Sequence, residues 1–89
     1  MYRVVLAEPA RQFFESAEAN LQRRFDRCFS VLAQTPRQHP NIKLLKGRLK
    51  GYHRYRVGDY RVIYRIEDDD SLVVVALISH RSQAYSKRR

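Results

Sequence analysis

The sequence predicts an α+β fold in which two N-terminal helices pack on a small antiparallel sheet. Two patterns predict this class: apolar residues recur with helical spacing between Ala10 and Leu32, and strand-like segments fill residues 52–80. Helices segregated from a hairpin in this way are typical of α+β folds rather than of alternating β-α units. Because 89 residues can bury one core but not two, we expect a single domain over residues 1–89.

The N-terminal half predicts a strand and two helices. The segment YRVVLA (2–7) is typical of a short strand, and Pro9 suits the first turn of the helix that follows. The second helix ends at Thr35, because a residue that precedes a proline is disfavoured in a helix. Apolar residues form two stripes, which are Ala10, Phe13, Phe14 and Ala17, and then Leu21, Phe25, Cys28, Phe29 and Leu32.

The C-terminal half predicts a hairpin and a central strand. A loop-rich segment (37–53) leads into strands over about 52–57 and 60–66, joined by Gly58 and Asp59 as a type II′ turn. After the acidic turn EDDDS, the segment LVVVALISH (72–80) is apolar on both faces, which is typical of a strand inside a sheet. The predicted order of elements is β-α-α-β-β-β.

Positive charge is the strongest compositional signal. The chain carries 18 Lys and Arg against nine Asp and Glu, a net charge of +9, and residues 42–66 hold eight basic residues and one acid. This distribution favours a polyanionic partner, either nucleic acid or an acidic protein. We find no apolar run long enough for a membrane span and no secretory signal. The single cysteine, Cys28, fits the protein core and a reducing cytoplasm, where we expect the protein to reside.

The hairpin sequence YRVGDYR places two arginines opposite each other. With a two-residue loop Arg56 pairs with Arg61, and Arg54 and Arg65 lie on the same face of the sheet. Like charges in this position destabilise a hairpin. The face is either an ordinary solvated exterior or an anion site. We favour the anion site, because a phosphate bound between the guanidinium groups would remove the repulsion.

The end of the last strand adds either a histidine or another arginine to this face. Pairing Arg61 with Ile78 would bring His80 to the face, whereas pairing it with Leu77 would bring Arg81, and the sequence leaves both registers open. Tyr85 follows, either as a ring that stacks on a base or as an aromatic cap on the core.

RNA cleavage is the chemistry that these residues suit. A base must take the proton of the 2′-hydroxyl, cations must stabilise the phosphorane, and an acid must protonate the leaving 5′-oxygen. Arginines suit the second task and are poor bases. His80 is therefore the candidate proton carrier, the alternative being an ordinary strand-end histidine, while His53 falls on the core face. No metal-ligand spacing and no glycine-rich phosphate motif occurs, so we expect neither a metal nor a cofactor.

The segment KLLKGRLKGYHRYRVGDYRVIYRIEDDDSLVVVALISHRSQAYS resembles the RelE/ParE superfamily of toxins from toxin–antitoxin systems. The resemblance lies in the Y-H-R-x-R-V-G-D-Y-R-V-I-Y run closed by H-R-x-x-x-Y, and the two preceding helices extend it over essentially the whole chain. It implies a compact fold similar to microbial ribonucleases. The positions that match the basic and tyrosine set of RelE-like members are Arg54, Arg56, Arg61, Arg81 and Tyr85.

The resemblance implies a ribosome-dependent endoribonuclease that cuts mRNA in the A site and arrests translation. Arg61 and Arg81 would clamp the scissile phosphate, Arg54 and Arg56 would place the phosphate and the 2′-hydroxyl, and Tyr85 would stack on a base. Further substrate-binding residues are expected on the hairpin and on the basic loop before it, and these are Arg65, Lys46, Arg48 and Lys50.

The resemblance also implies a cognate antitoxin. An acidic, disordered segment could pair with the charge of +9 and fold on binding, giving a hetero-oligomer that blocks the basic surface. Two alternative functions stay open at this point. ParE-like members inhibit DNA gyrase instead of cutting mRNA, and a basic protein of this size could also be a nucleic-acid-binding regulator without toxicity.

Overall fold

The structure is a computed structural model, and it describes residues 1–81. Within these residues the chain forms two α-helices and five strands, so the predicted α+β class is confirmed. Their bounds are β1 Arg3–Leu6, α1 Glu8–Ser16, α2 Ala19–Gln34, β2 Ile42–Leu44, β3 His53–Val57, β4 Tyr60–Glu67 and β5 Leu72–His80.

The five strands form one sheet in the order β1-β5-β4-β3-β2. β5 lies between β1 and β4, which confirms the prediction of a central strand. The expectation of an antiparallel sheet needs correction at one edge, because β1 pairs with β5 in parallel. The loop predicted over residues 37–53 also needs correction, since it contains β2, which pairs with β3.

Both helices pack on one face of the sheet. Phe25 and Leu32 of α2 are fully buried against residues of β3, β4 and β5 that alternate toward the same side. At the edge of this core, the rings of Phe13 and Phe25 each meet Tyr60 edge to face, at 5.9 and 5.8 Å between centroids. The helices leave the opposite face of the sheet uncovered. No helix within residues 1–81 is long and apolar enough to cross a membrane.

The hairpin between β3 and β4 has the predicted register and turn. Arg56 pairs with Arg61 and Val57 with Tyr60, which leaves Gly58 and Asp59 as the loop. Gly58 has a φ of +59°, and Asp59 keeps a negative φ, as a type II′ turn requires. The register fixes which side chains of the hairpin leave the core.

Candidate nucleic-acid interface

The face of the sheet that the helices leave uncovered carries a cluster of cations. Side chains alternate between the two faces of a strand, and the buried Tyr55 and Val62 mark the face that packs on the helices. Their neighbours in the chain therefore lie on the other side. We call this surface the arginine face, and its cations are Lys43 on β2, Arg54 and Arg56 on β3, and Arg61 and Arg65 on β4.

Arg56 and Arg61 form a cross-strand pair within the arginine face. Opposite residues in antiparallel strands have Cβ atoms about 4.5–5.5 Å apart, so the fold holds two like charges near each other. Arg56 is exposed, whereas Arg54 and Arg61 are half-buried. The Nη1 of Arg54 donates a hydrogen bond to the backbone oxygen of Asn41 at 3.3 Å, which directs its side chain along the sheet.

Arg81 follows β5 at the end of the sheet where the hairpin turns. Its backbone N–H donates to the backbone oxygen of Asp59 at 2.7 Å, and its Nη1 lies 3.9 Å from Asp59 Oδ1. Both side chains are about two-thirds exposed, so the ion pair contributes little stability. The backbone hydrogen bond is what joins Arg81 to the turn, and the guanidinium stays open to solvent.

A β-bulge sets the register between β4 and β5. Arg65 lies opposite Val74, but Arg61 lies opposite Ser79, one residue further along than an unbroken ladder would place it. The register shift leaves Ala76 without a partner in the ladder. Neither of the two registers considered from the sequence is observed, but Ser79 lies on the same side of β5 as Leu77, so the face assignment of the Leu77 alternative is the observed one.

His80 consequently lies on the helix side of the sheet. Its register partner is Tyr60, and the two rings meet edge to face with their centroids 5.1 Å apart. The prediction that His80 serves the arginine face as a proton carrier is therefore corrected: the bulge turns His80 away. The same alternation puts the position of Arg81 on the side of Arg61.

Arg65 pairs with a carboxylate that its own strand supplies. Its Nε donates to Glu67 Oε2 at 2.7 Å, and this hydrogen bond raises the pKa of Arg65 above its ordinary value. A substrate phosphate at this position would compete with Glu67. The predicted basic loop residues are all exposed on the segment between β2 and β3, and they are Lys46, Arg48 and Lys50.

Two titratable groups outside the arginine face are packed rather than reactive. Burial raises the pKa of the Cys28 thiol to about 12, so Cys28 is an unreactive core residue as predicted. The His53 ring stacks on Tyr64 with centroids 5.5 Å apart, and burial lowers its pKa. Tyr85, the predicted stacking residue, lies outside the described residues. Within residues 1–81 no three Cys, His, Asp or Glu side chains are placed to hold a metal ion.

A cavity of about 230 Å³ opens on the arginine face. Its two cationic lining residues, Arg54 and Arg61, were predicted from the sequence, but the cavity itself was not. Lys43, which pairs with Arg54 on the arginine face, was also missed. The cavity depends on the shifted register between β4 and β5 and on the return of the basic loop over the sheet, neither of which has a local sequence signal. Its lining is Leu45, Leu49, Arg54, Arg61, Ile63, Leu77 and Ser79.

Solved structures with the same fold include complexes of toxins with antitoxins. The archaeal RelE–RelB complex from Pyrococcus horikoshii matches with a TM-score of 0.78 and 26% identity, over 92% of this chain and 97% of that chain. A RelBE toxin–antitoxin complex from Mycobacterium tuberculosis matches with a TM-score of 0.77 and 27% identity, over 90% of this chain and 98% of that chain. The shared fold thus defines a class, the toxins of toxin–antitoxin systems.

Sequence comparison identifies the family within this class. The family described as the ParE toxin of the type II toxin–antitoxin system parDE matches residues 4–85, and the chain belongs to this family. A curated relative, Toxin RelE of Mycobacterium tuberculosis, is 44% identical over 57 residues, which are 64% of this chain. That match spans 57% of the relative's own length. The superfamily resemblance expected from the sequence is therefore confirmed.

Proposed function

We propose that this protein is the toxin of a toxin–antitoxin pair and acts as an endoribonuclease on mRNA in the ribosomal A site. In this proposal it needs no metal, works in the cytoplasm, and leaves a 2′,3′-cyclic phosphate and a 5′-hydroxyl. The observation that carries the proposal is the cross-strand pair of Arg56 and Arg61 beside Arg54 on one uncovered sheet face. Guanidinium groups placed together in this way suit the oxygens of a phosphodiester.

The reaction requires charge stabilisation at one phosphate. The 2′-oxygen attacks phosphorus while the bond from phosphorus to the 5′-oxygen breaks, and the negative charge grows on the non-bridging oxygens. Arg61 and Arg81 stabilise this charge, and Arg54 and Arg56 place the phosphate and the 2′-hydroxyl. The 2′-hydroxyl loses one proton and the leaving 5′-oxygen gains one. Because His80 lies on the other side of the sheet, the ribosome supplies part of this proton transfer.

The remaining predicted residues bind RNA outside the scissile phosphate. Tyr85 stacks on a substrate base, as bases in single-stranded RNA commonly stack on aromatic rings. The basic loop extends the positive surface beyond the arginine face and contacts backbone phosphates through Lys46, Arg48 and Lys50. Arg65 joins them only when a phosphate displaces Glu67 from its guanidinium.

The partner that restrains the toxin is an acidic antitoxin. Both solved relatives described above are complexes of a toxin with its antitoxin. The net charge of +9 on this chain suits an acidic, disordered segment that folds as it covers the arginine face. The resulting hetero-oligomer would exclude mRNA from the same surface.

A second candidate function is inhibition of DNA gyrase, since the matching family carries the name of the ParE toxin. A gyrase inhibitor would act by binding, induce DNA damage signalling and leave mRNA whole. A third candidate function is a non-toxic nucleic-acid-binding regulator, which would bind in a salt-dependent manner without arresting growth. The relatives named RelE favour mRNA cleavage over both.

One experiment separates the three functions. The protein is induced without antitoxin, mRNA 5′ ends are mapped against ribosome position, and gyrase supercoiling is assayed in parallel. We expect new 5′ ends within A-site codons and normal supercoiling. Intact mRNA with inhibited supercoiling would replace the proposal with the gyrase function, and normal growth with intact mRNA would replace it with the regulator.

A further inference from the structure

We propose that the cavity on the arginine face holds one nucleobase of the bound RNA. The proposal rests on the proposed function, since it assigns a part of the substrate to a part of the same surface. It concerns a base next to the scissile phosphate and is separate from the base assigned to Tyr85.

The cavity has an apolar lining within a cationic surface. Leu49 and Leu77 are each 44% exposed, and both line the cavity with Ile63, which is only 8% exposed. Single exposed leucines are ordinary on protein surfaces, but two leucines that line the same cavity form an apolar patch. A ligand that fills the cavity would remove both from water.

The polar part of the lining indicates what kind of apolar group fits. Arg54 and Arg61 stand at the cavity, and a guanidinium plane stacks on flat rings as well as binding phosphate. The hydrogen bond from Arg54 to the Asn41 oxygen holds that side chain in place. Ser79, directly opposite Arg61, adds a hydroxyl that can donate to or accept from the edge of a base.

The cavity suits a group smaller than a drug-sized ligand, such as a single base. At about 230 Å³ it is smaller than the roughly 300–1,000 Å³ typical of sites for drug-sized ligands. A phosphate bound at Arg56 and Arg61 lies beside the cavity, so a nucleotide places its base and its phosphate on adjacent parts of one surface. An aliphatic side chain of a protein partner is the rival occupant, but it would use neither the guanidinium planes nor the hydroxyl.

Binding of uncleavable RNA tests the proposal. The probe is a fluorescently labelled 2′-O-methyl trinucleotide, which lacks the attacking hydroxyl, compared with analogues that lack the base at one position. With the full-length protein we expect the base-free analogue at one position to bind about tenfold more weakly, the effect of losing one stacked base. The ratio of the two dissociation constants, base-free over intact trinucleotide, is the quantity to compare between variants. We expect this ratio to fall toward one in Leu77→Ala and in Leu49→Ala.

Leu44→Ala is the matched control. Leu44 is 59% exposed and pairs with His53, so it lies on the other side of the sheet and should leave the ratio unchanged. Circular dichroism of each variant verifies the fold. Leu49 and Leu77 lie on separate segments of the chain, so their two variants test the same cavity independently.

Several outcomes would overturn the proposal. These are no measurable binding of the intact trinucleotide, equal binding of every base-free analogue, or a tenfold ratio that survives both leucine variants. If the leucine variants weaken binding of the purified cognate antitoxin but leave RNA binding unchanged, the cavity binds the antitoxin and not a base. Failure of the proposed function gives a different result, because base-dependent binding would persist while mRNA on the ribosome stays whole.

Conversely, A-site cleavage together with base-independent binding would contradict only the cavity assignment.

Discussion

Arg61 lies opposite Ser79 rather than Ile78, because the ladder between β4 and β5 shifts by one residue at Ala76. This shift decides which side chains of β5 lie on the arginine face. Without it, alternation would turn His80 toward the arginines; with it, His80 packs on Tyr60 and the position of Arg81 follows Ser79 instead. The arginine face therefore carries arginines and no histidine of β5.

Replacing Arg56 with glutamate should stabilise the fold and impair function. Arg56→Glu turns a like-charge pair with Arg61 into an opposite-charge pair, and we expect a gain of up to about 1 kcal/mol in the free energy of unfolding. Urea denaturation measures it. The gain should shrink at 1 M salt, where the screening length is only about 3 Å. The control is the double variant with Glu at both positions, which restores repulsion; a double variant as stable as the single one would contradict the account.

The turn glycine should tolerate no side chain without loss of stability. Gly58 has a φ of +59°, and an added Cβ would meet the Arg24 guanidinium from α2. We expect Gly58→Ala to cost about 1–2 kcal/mol in thermal or urea unfolding, mainly from the left-handed backbone. Gly47→Ala is the matched control, since Gly47 has a φ of +70° and open space around it. Any excess cost at Gly58 should vanish in an Arg24→Ala background, and its persistence there would exclude this contact as the cause.

The Tyr64 hydroxyl should contribute more to stability than an exposed tyrosine hydroxyl. Tyr64 is fully buried and its OH donates to the backbone oxygen of Pro36 at 2.7 Å, which ties the end of α2 to the sheet. Removing it in Tyr64→Phe leaves a buried carbonyl unsatisfied, and we expect a loss of about 1–2 kcal/mol in urea unfolding. Tyr2→Phe removes an exposed hydrogen bond to Asp68 and should cost less. Equal losses in the two variants would refute this assignment.

His53 should make the protein less stable in mild acid. Burial, with a smaller effect of Arg37, lowers the pKa of His53 in the folded state, whereas the unfolded chain has an ordinary value of about 6.5. The unfolded state then binds the proton more readily, so stability falls as the pH drops through about 6.5 and toward the lower folded pKa. His53→Phe keeps a ring stacked on Tyr64 and should flatten this part of the stability–pH curve. An unchanged slope would show that another group titrates.

The features that were predicted correctly from the sequence have local signals. The hairpin register follows from two loop residues with glycine first, and the observed pairing of Arg56 with Arg61 confirms it. The two helices follow from apolar periodicity, and the continuous apolar run of β5 indicates its position between β1 and β4. Each of these patterns lies within about ten to twenty residues of chain.

The features that were missed depend on contacts between distant segments. The parallel pairing of β1 with β5 joins Arg3 to Leu72 and leaves no pattern in either strand. The bulge at Ala76 is a single unpaired alanine within an apolar run, so alternation along the strand could not reveal it. It is the reason that the sequence left open whether His80 or Arg81 lies on the arginine face.

The most direct test of the central claim measures mRNA cleavage by purified toxin on ribosomes that hold a defined codon in the A site. We expect the wild-type protein to cut within that codon, and Arg61→Ala and Arg81→Ala to cut at least about 100-fold more slowly, because each removes a group that stabilises the charged intermediate. Arg27→Ala, which removes an exposed arginine from α2, should cut normally. Wild-type cleavage rates in both Arg61→Ala and Arg81→Ala, or intact mRNA with the wild-type protein, would contradict the account.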